Sequence, residues 1–115
     1  MNKQLFILVG FLLVFAALLY SCGDVTHNVG TPSGVTAQVM SSNSISIEWQ
    51  NASGAGAYNV YRNNQFDGTV ATNGMVDSGL VNDTQYCYQV QGKSSAKDPS
   101  FAGDLSGSVC ATTLP

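Results

Sequence analysis

Apolar residues are distributed along this chain in two different ways. Between Leu5 and Tyr20, fifteen of sixteen positions are apolar. Such a run falls short of the roughly 20 residues of a membrane-spanning helix but suits the hydrophobic region of a secretion leader, with Lys3 as the basic residue ahead of it. Beyond residue 33 the apolar positions alternate with polar ones. Ser44-Ile45-Ser46-Ile47-Glu48-Trp49 alternates without a fault, which places Ile45, Ile47 and Trp49 on one face of a strand. Val35, Ala37 and Val39 do the same before it. Tyr58 and Val60 point inward from Tyr58-Asn59-Val60-Tyr61-Arg62, and Asn63-Asn64 turns the chain into a weaker stretch from Phe66 to Ala71. Met75-Val76-Asp77, Tyr86-Cys87-Tyr88-Gln89-Val90 and Ser108-Val109-Cys110-Ala111 complete seven short strands separated by turn residues. No window has the apolar period of a helix, so the pattern predicts an all-β sandwich of two antiparallel sheets.

The leader ends in Leu19-Tyr20-Ser21-Cys22. An aliphatic residue at the third position before a cysteine, a small residue directly before it and a hydrophobic run ending there together resemble the lipobox of bacterial lipoproteins. The resemblance implies that the Cys22 sulfur receives diacylglycerol, that the chain is cut before Cys22 and that the new amine is acylated. An ordinary leader cut nearby and an uncleaved anchor with a chance cysteine are the alternatives. Cysteine parity argues against both, because three cysteines in an exported chain leave one over after pairing. Gly23, not Asp, follows the cysteine, which in this class implies the outer membrane more than the inner one. Residues 1–21 are accordingly read as a lipoprotein signal peptide. Residues 22–33 are read as the lipidated cysteine and a flexible tether with a reach of about 20 Å, and 34–115 as the domain. Asn51-Ala52-Ser53 and Asn82-Asp83-Thr84 match the glycosylation sequon; outside a eukaryotic secretory path they are chance matches.

The residues of the domain resemble the fibronectin type III domain over about 32–115. The matching pieces are Pro32, Ser44 to Trp49 with its tryptophan, Tyr58 to Arg62, Asp77-Ser78-Gly79-Leu80 with Asn82, Thr84 and Tyr86 after it, and Ala111-Thr112-Thr113. The resemblance implies a seven-stranded immunoglobulin-like sandwich. It also implies a tyrosine corner at Tyr86, whose hydroxyl bonds nearby backbone, and a plug at the sandwich end formed by Leu80. Met75 stands where an aromatic residue is commoner. The chain lacks the Arg-Gly-Asp tripeptide, so the integrin binding of some animal members does not carry over.

Pairing the last two long strands so that residue numbers sum to 197 sets 87 opposite 110, 89 opposite 108 and 91 opposite 106. Cys87, Gln89, Gln91, Cys110, Ser108 and Ser106 then share the solvent face, and Tyr86, Tyr88, Val90, Val109 and Ala111 share the inner one. Directly opposite residues lie within disulfide reach, so a Cys87–Cys110 bridge is expected. A redox or metal pair is disfavoured by the absence of CxxC spacing and of a nearby histidine.

Charge is sparse and acidic. After residue 22, Arg62, Lys93 and Lys97 stand against seven carboxylates, a net charge of −4, so no basic stripe exists for a nucleic acid. The single histidine, His27, lies in the tether, which removes any Ser-His or Cys-His pair from the domain. Glu48 faces outward, and Asp67, Asp77, Asp83, Asp98 and Asp104 are read as turn residues. No catalysis, cofactor or metal is expected. Trp49 shares the parity of Ile45 and Ile47, which makes it core and not a sugar platform. Tyr61 and Phe66 are surface candidates for binding, the other reading being partial burial under the neighbouring strand. The segment Gly92 to Leu105 is read as a long loop carrying Lys93, Lys97, Asp98, Phe101 and Asp104. Phe101 serves there either as a contact or as a cap on the sandwich end. The expected function is a membrane-tethered, non-enzymatic binding or adhesion module of the cell envelope. It would be monomeric and contact a protein or glycan through that loop and the sheet face beside it. The alternative is a structural spacer or shielding lipoprotein, such as one encoded by a phage, with no specific ligand.

Overall fold

Strict alternation makes Ile45, Ile47 and Trp49 the buried side of a strand whose other side, at Glu48 and Gln50, faces solvent. The computed structural model of the protein describes residues 28–95 and 101–115. Among them are eight strands: β1 (Ser33–Val39), β2 (Ile45–Gln50), β3 (Ala57–Arg62), β4 (Gln65–Val70), β5 (Gly74–Asp77), β6 (Gln85–Lys93), β7 (Ala102–Leu105) and β8 (Val109–Thr112). One sheet has the order β1-β2-β5. The other runs β4-β3-β6, with β7 and β8 following one another along the far edge of β6. All pairs are antiparallel.

The two inner faces meet in one core. Ile45, Ile47 and Trp49 pack with Tyr58, Val60, Tyr86, Tyr88 and Val90, and Ala52 and Leu80 complete the cluster. Each aliphatic residue buried in this way contributes about 1.5–3 kcal/mol. The Trp49 and Tyr58 rings meet edge to face, 5.4 Å apart. At one end the Tyr86 hydroxyl accepts from Val81 N at 2.9 Å, the corner that the resemblance implied, and Leu80 is buried beside it. The β3–β4 hairpin turns on Asn63 and Asn64, both at positive φ (50° and 65°), as a two-residue turn compatible with strand twist requires.

Cys87 faces Cys110 as expected, with Cα atoms 4.0 Å apart and the sulfurs bonded. The expected register does not persist beyond this point. Gln91 pairs with Leu105 instead of residue 106, and Lys93 pairs with Ala102. The cause is a break in the last edge at residues 106–108. Ser106, expected on the solvent face, turns inward: its Oγ accepts from Val90 N at 2.9 Å and donates to Gly107 O at 3.0 Å. A hydroxyl thus stands in the ladder, and the last strand divides into β7 and β8, giving eight strands where seven were expected.

The observed strand bounds correct three readings. The loop expected over 92–105 shrinks to 94–101, because β6 continues to Lys93. Lys93 is itself only 6% exposed, held in register between Ala57 and Ala102, and cannot supply surface charge. Of the aspartates assigned to turns, Asp83 lies in one at φ 51°, whereas Asp67, Asp77 and Asp104 lie in β4, β5 and β7. Cys22, His27, Lys97 and Asp98 fall outside the described residues.

The end of the segment read as a tether is part of the domain. Pro32 is buried, and Gly30 N donates to Ser53 O at 2.8 Å. The backbone of Val29 and Gly30 lies against β6 and β7 so closely that only glycine fits there. A Cβ on Gly103 would sit 2.5 Å from Val29 O, and one on Gly92 would sit 2.9 Å from Val29 Cγ1. Residues 28–30 are therefore clasped at the pole formed by residues 51–56 and the start of the 94–101 loop.

Two outcomes follow from this packing. Cys87→Ser should lower unfolding stability by roughly 3 kcal/mol, the chain-entropy value for a closed loop of this length; urea denaturation of oxidised parent and variant measures it. Gly103→Val should evict the clasped segment, so that amide exchange at Gly30 quickens while Val60 and Val90 in the core keep their protection.

Candidate functional site

Two groups of polar and aromatic side chains stand out, one between the sheets and one on an outer face. Between the sheets, Arg62 on β3 reaches Asp77 on β5. Its Nη1 donates to Asp77 Oδ1 at 3.0 Å and to Oδ2 at 2.9 Å, and the Tyr88 hydroxyl donates to the same Oδ2 at 2.8 Å. The guanidinium lies 5.6 Å from the centre of the Tyr86 ring and 3.7 Å from Asp67 Oδ1. These groups border a hollow of about 200 Å³ lined by Arg62, Asn63, Gln65, Phe66, Asp67 and Tyr86.

The electrostatics of this group point to a structural tie. The Asp77 hydrogen bond is the main influence holding Arg62 protonated above its ordinary range. Burial, and then the bond to Asp77, push the Tyr88 hydroxyl well above its ordinary value. Burial, and then the nearby Asp77 carboxylate, push Asp67 above 3.8 against the pull of Arg62. Asp67 Oδ2 is shielded from solvent and has no hydrogen-bond partner among the described residues. Among those residues no three His, Cys, Asp or Glu side chains come together as metal ligands.

On the outer face of the five-stranded sheet, Tyr61 and Phe66 stand opposite each other on β3 and β4 and pack edge to face, 5.8 Å apart. Phe66 is 59% exposed. Beside them the register aligns Thr69, Asn59 and Gln91 in a row across β4, β3 and β6. Thr69 Oγ1 donates to Asn59 Oδ1 at 2.8 Å, Asn59 Nδ2 to Gln91 Oε1 at 3.1 Å, and Gln91 Nε2 to Gly103 O at 2.8 Å. The Tyr61 hydroxyl donates to Gln91 Oε1 at 3.4 Å, and Gln89 Nε2 to Ser106 O at 3.1 Å.

The structure therefore brings Tyr61 and Phe66 together and places Lys93 and Phe101 at the other end of β6, while Lys97 falls outside the described residues. Lys93 is buried. Phe101 is 39% exposed at the foot of the loop, its carbonyl accepting from Ser94 N at 2.9 Å. Asn59, Thr69 and Gln91 are not among the residues that the sequence marks as site candidates. The alternation that put Val60 inside put Asn59 outside, and only the pairing register reveals that it meets Gln91.

No family model matches the chain. Solved structures with the same path are fibronectin type III domains. The FN5 domain of Drosophila Lar covers 76% of this chain and 99% of that one, with 23% identity and a TM-score of 0.60. An Fn3-like protein from Clostridium thermocellum covers 76% and 93%, with 23% identity and a TM-score of 0.61. The sixth such domain of human fibronectin type III domain containing protein 3 covers 81% and 92%, with 16% identity and a TM-score of 0.64. The chain has the fibronectin type III fold. It is also 36% identical over 94 residues to a poly(3-hydroxybutyrate) depolymerase of Ralstonia pickettii, covering 79% of this chain but 18% of that enzyme. The chain thus spans less than a fifth of the length of that relative.

Asp67 gives this group a pH signature. Its folded value lies above its unfolded one, so its contribution is complete below 3.8 and is lost as pH rises through the folded value. Asp67→Asn is neutral at every pH. Its stability relative to the parent should therefore improve as pH rises from the unfolded value toward neutrality. Urea denaturation across that range measures this, and parallel profiles would contradict it.

Proposed function

We propose that this chain is a non-enzymatic binding module held at the cell envelope by lipid on Cys22, outer membrane more than inner, where it contacts an envelope protein or glycan. The observation that carries the reading is the cysteine count. The chain has three cysteines, and Cys87 and Cys110 bond to each other. This leaves Cys22, at the end of the lipobox-like Leu19-Tyr20-Ser21-Cys22, as the one available for acylation.

The clasped segment gives this reading a geometry. Six residue steps separate Cys22 from Asn28, a contour of at most about 20 Å. A lipid on Cys22 would therefore hold the pole bearing the 94–101 loop close to the membrane. The outer sheet face stays accessible along the side of the sandwich, and the β3–β4 turn points away from the attachment. With Lys93 buried, the sheet face around Tyr61 and Phe66 is a better contact surface than the loop. The spacer reading draws support from the depolymerase, in which the similar stretch is a small part of a longer chain.

Mass spectrometry of the protein extracted from membranes tests the attachment. The expected mature species begins at Cys22 and carries diacylglycerol and an amide-linked acyl chain, and Cys22→Ser abolishes both. A mature N-terminus at another residue would exclude lipid anchoring at Cys22.

A further inference from the structure

The outward positions of β3, β4 and β6 form two adjacent rows, Thr69-Asn59-Gln91 and Phe66-Tyr61-Gln89, whose members face one another across the ladder. None of the six carries a charge, although the domain is acidic overall. Arg62 and Asp67, their neighbours in sequence, turn inward to the group around Asp77. The surface is thus polar without being ionic, and it is flanked by an aromatic ring.

Its hydrogen-bonding capacity is only partly used. A primary amide has two N–H donors and two acceptor lone pairs. Asn59 uses one donor toward Gln91 and one acceptor site for Thr69, so one of each remains. Gln91 Oε1 accepts from both Asn59 and Tyr61, leaving this residue one N–H beyond its bond to Gly103 O. Gln89 keeps its carbonyl oxygen and one N–H beyond its bond to Ser106 O. The internal bonds hold these amides in fixed orientations before any ligand arrives, which lowers the entropic cost of docking. Phe66 presents ring area beside them, steadied by its edge-to-face contact with Tyr61.

The geometry points to this face as a docking surface for a neutral polysaccharide; the inference rests on the binding reading above and names the partner class. Sugar hydroxyls both donate and accept, matching amides that offer both, and the C–H face of a sugar ring packs on an aromatic ring. A phosphorylated or acidic ligand finds no cation among the described residues of the face. An extended peptide needs an open strand edge to pair with, and β3 and β6, which carry Asn59, Tyr61, Gln89 and Gln91, are interior strands. An aliphatic polyester has acceptors but no donors and would leave the remaining oxygens of Asn59 and Gln89 unmatched.

The test uses the full-length protein, isotope-labelled in detergent, titrated separately with cellohexaose, maltohexaose and chitohexaose. At least one should shift the side-chain amide resonances of Asn59 and Gln91. Phe66→Ala should weaken that binding about tenfold without moving the melting temperature, because the ring is 59% exposed. Raising the salt concentration should leave the affinity unchanged. The inference is overturned if no hexasaccharide shifts these amides, if the shifts map to the hollow around Arg62, or if the protein binds a poly(3-hydroxybutyrate) film and no sugar. Crosslinking in intact cells separates the two levels. Capture of one envelope protein without sugar binding removes the polysaccharide and leaves the binding module, whereas failure of both leaves the spacer.

Discussion

The parity of β6 is the constraint on which the rest of this structure depends. Nine residues long, β6 pairs with β3 on one side and with β7 and β8 on the other. Its inner positions Tyr86, Tyr88 and Val90 belong to the core, while Cys87, Gln89 and Gln91 stand outside. A slip of one residue would exchange the two sets. It would put two glutamines and a cysteine into the core, and it would part Cys87 from Cys110 and Asn59 from Gln91. The hydroxyls of the inner tyrosines hold this register at points beyond the ladder, Tyr86 through Val81 N and Tyr88 through Asp77.

Arg62, Asp77 and Tyr88 join the two sheets where no backbone hydrogen bond does. A half-buried ion pair is weak evidence for stability, since desolvation offsets much of the attraction; its geometry here favours one relative placement of β3 and β5. Asp67 has a different consequence. It lies on β4, an edge strand, beside a register shift and ahead of Gly68. An inward carboxylate and an irregular edge both discourage pairing with another chain, which fits a domain whose sheet faces, and not its edges, are suited to contact.

In the proposed arrangement, attachment and contact surface are set by the same packing. The clasp of residues 28–30 between Gly92 and Gly103 commits the incoming chain to the loop pole. That placement separates the site of attachment from the outer face of the five-stranded sheet. The segment 92–105 is also less of a loop than its length suggests: six of its fourteen residues are strand, and Lys93 is buried.

The sequence by itself determined the class of this protein. Period-2 alternation separates inside from outside wherever a strand has one buried face, so the core at Ile45, Ile47, Trp49, Tyr58, Val60 and Tyr88 was legible, as was the facing of Cys87 and Cys110. Tyr86 and Leu80 were legible through the resemblance. What alternation cannot carry is which residues of different strands lie side by side once the ladder is irregular. Ser106 substitutes a hydroxyl for a ladder group and shifts the register behind it, and with that shift went the length of β6 and the burial of Lys93. Asp77 closes β5, and an Asp at the end of a strand resembles a turn residue until the Arg62 guanidinium from the other sheet is found beside it. The row Thr69-Asn59-Gln91 likewise exists only in three dimensions, since Asn59 and Gln91 are 32 residues apart in the chain and only antiparallel pairing sets them face to face.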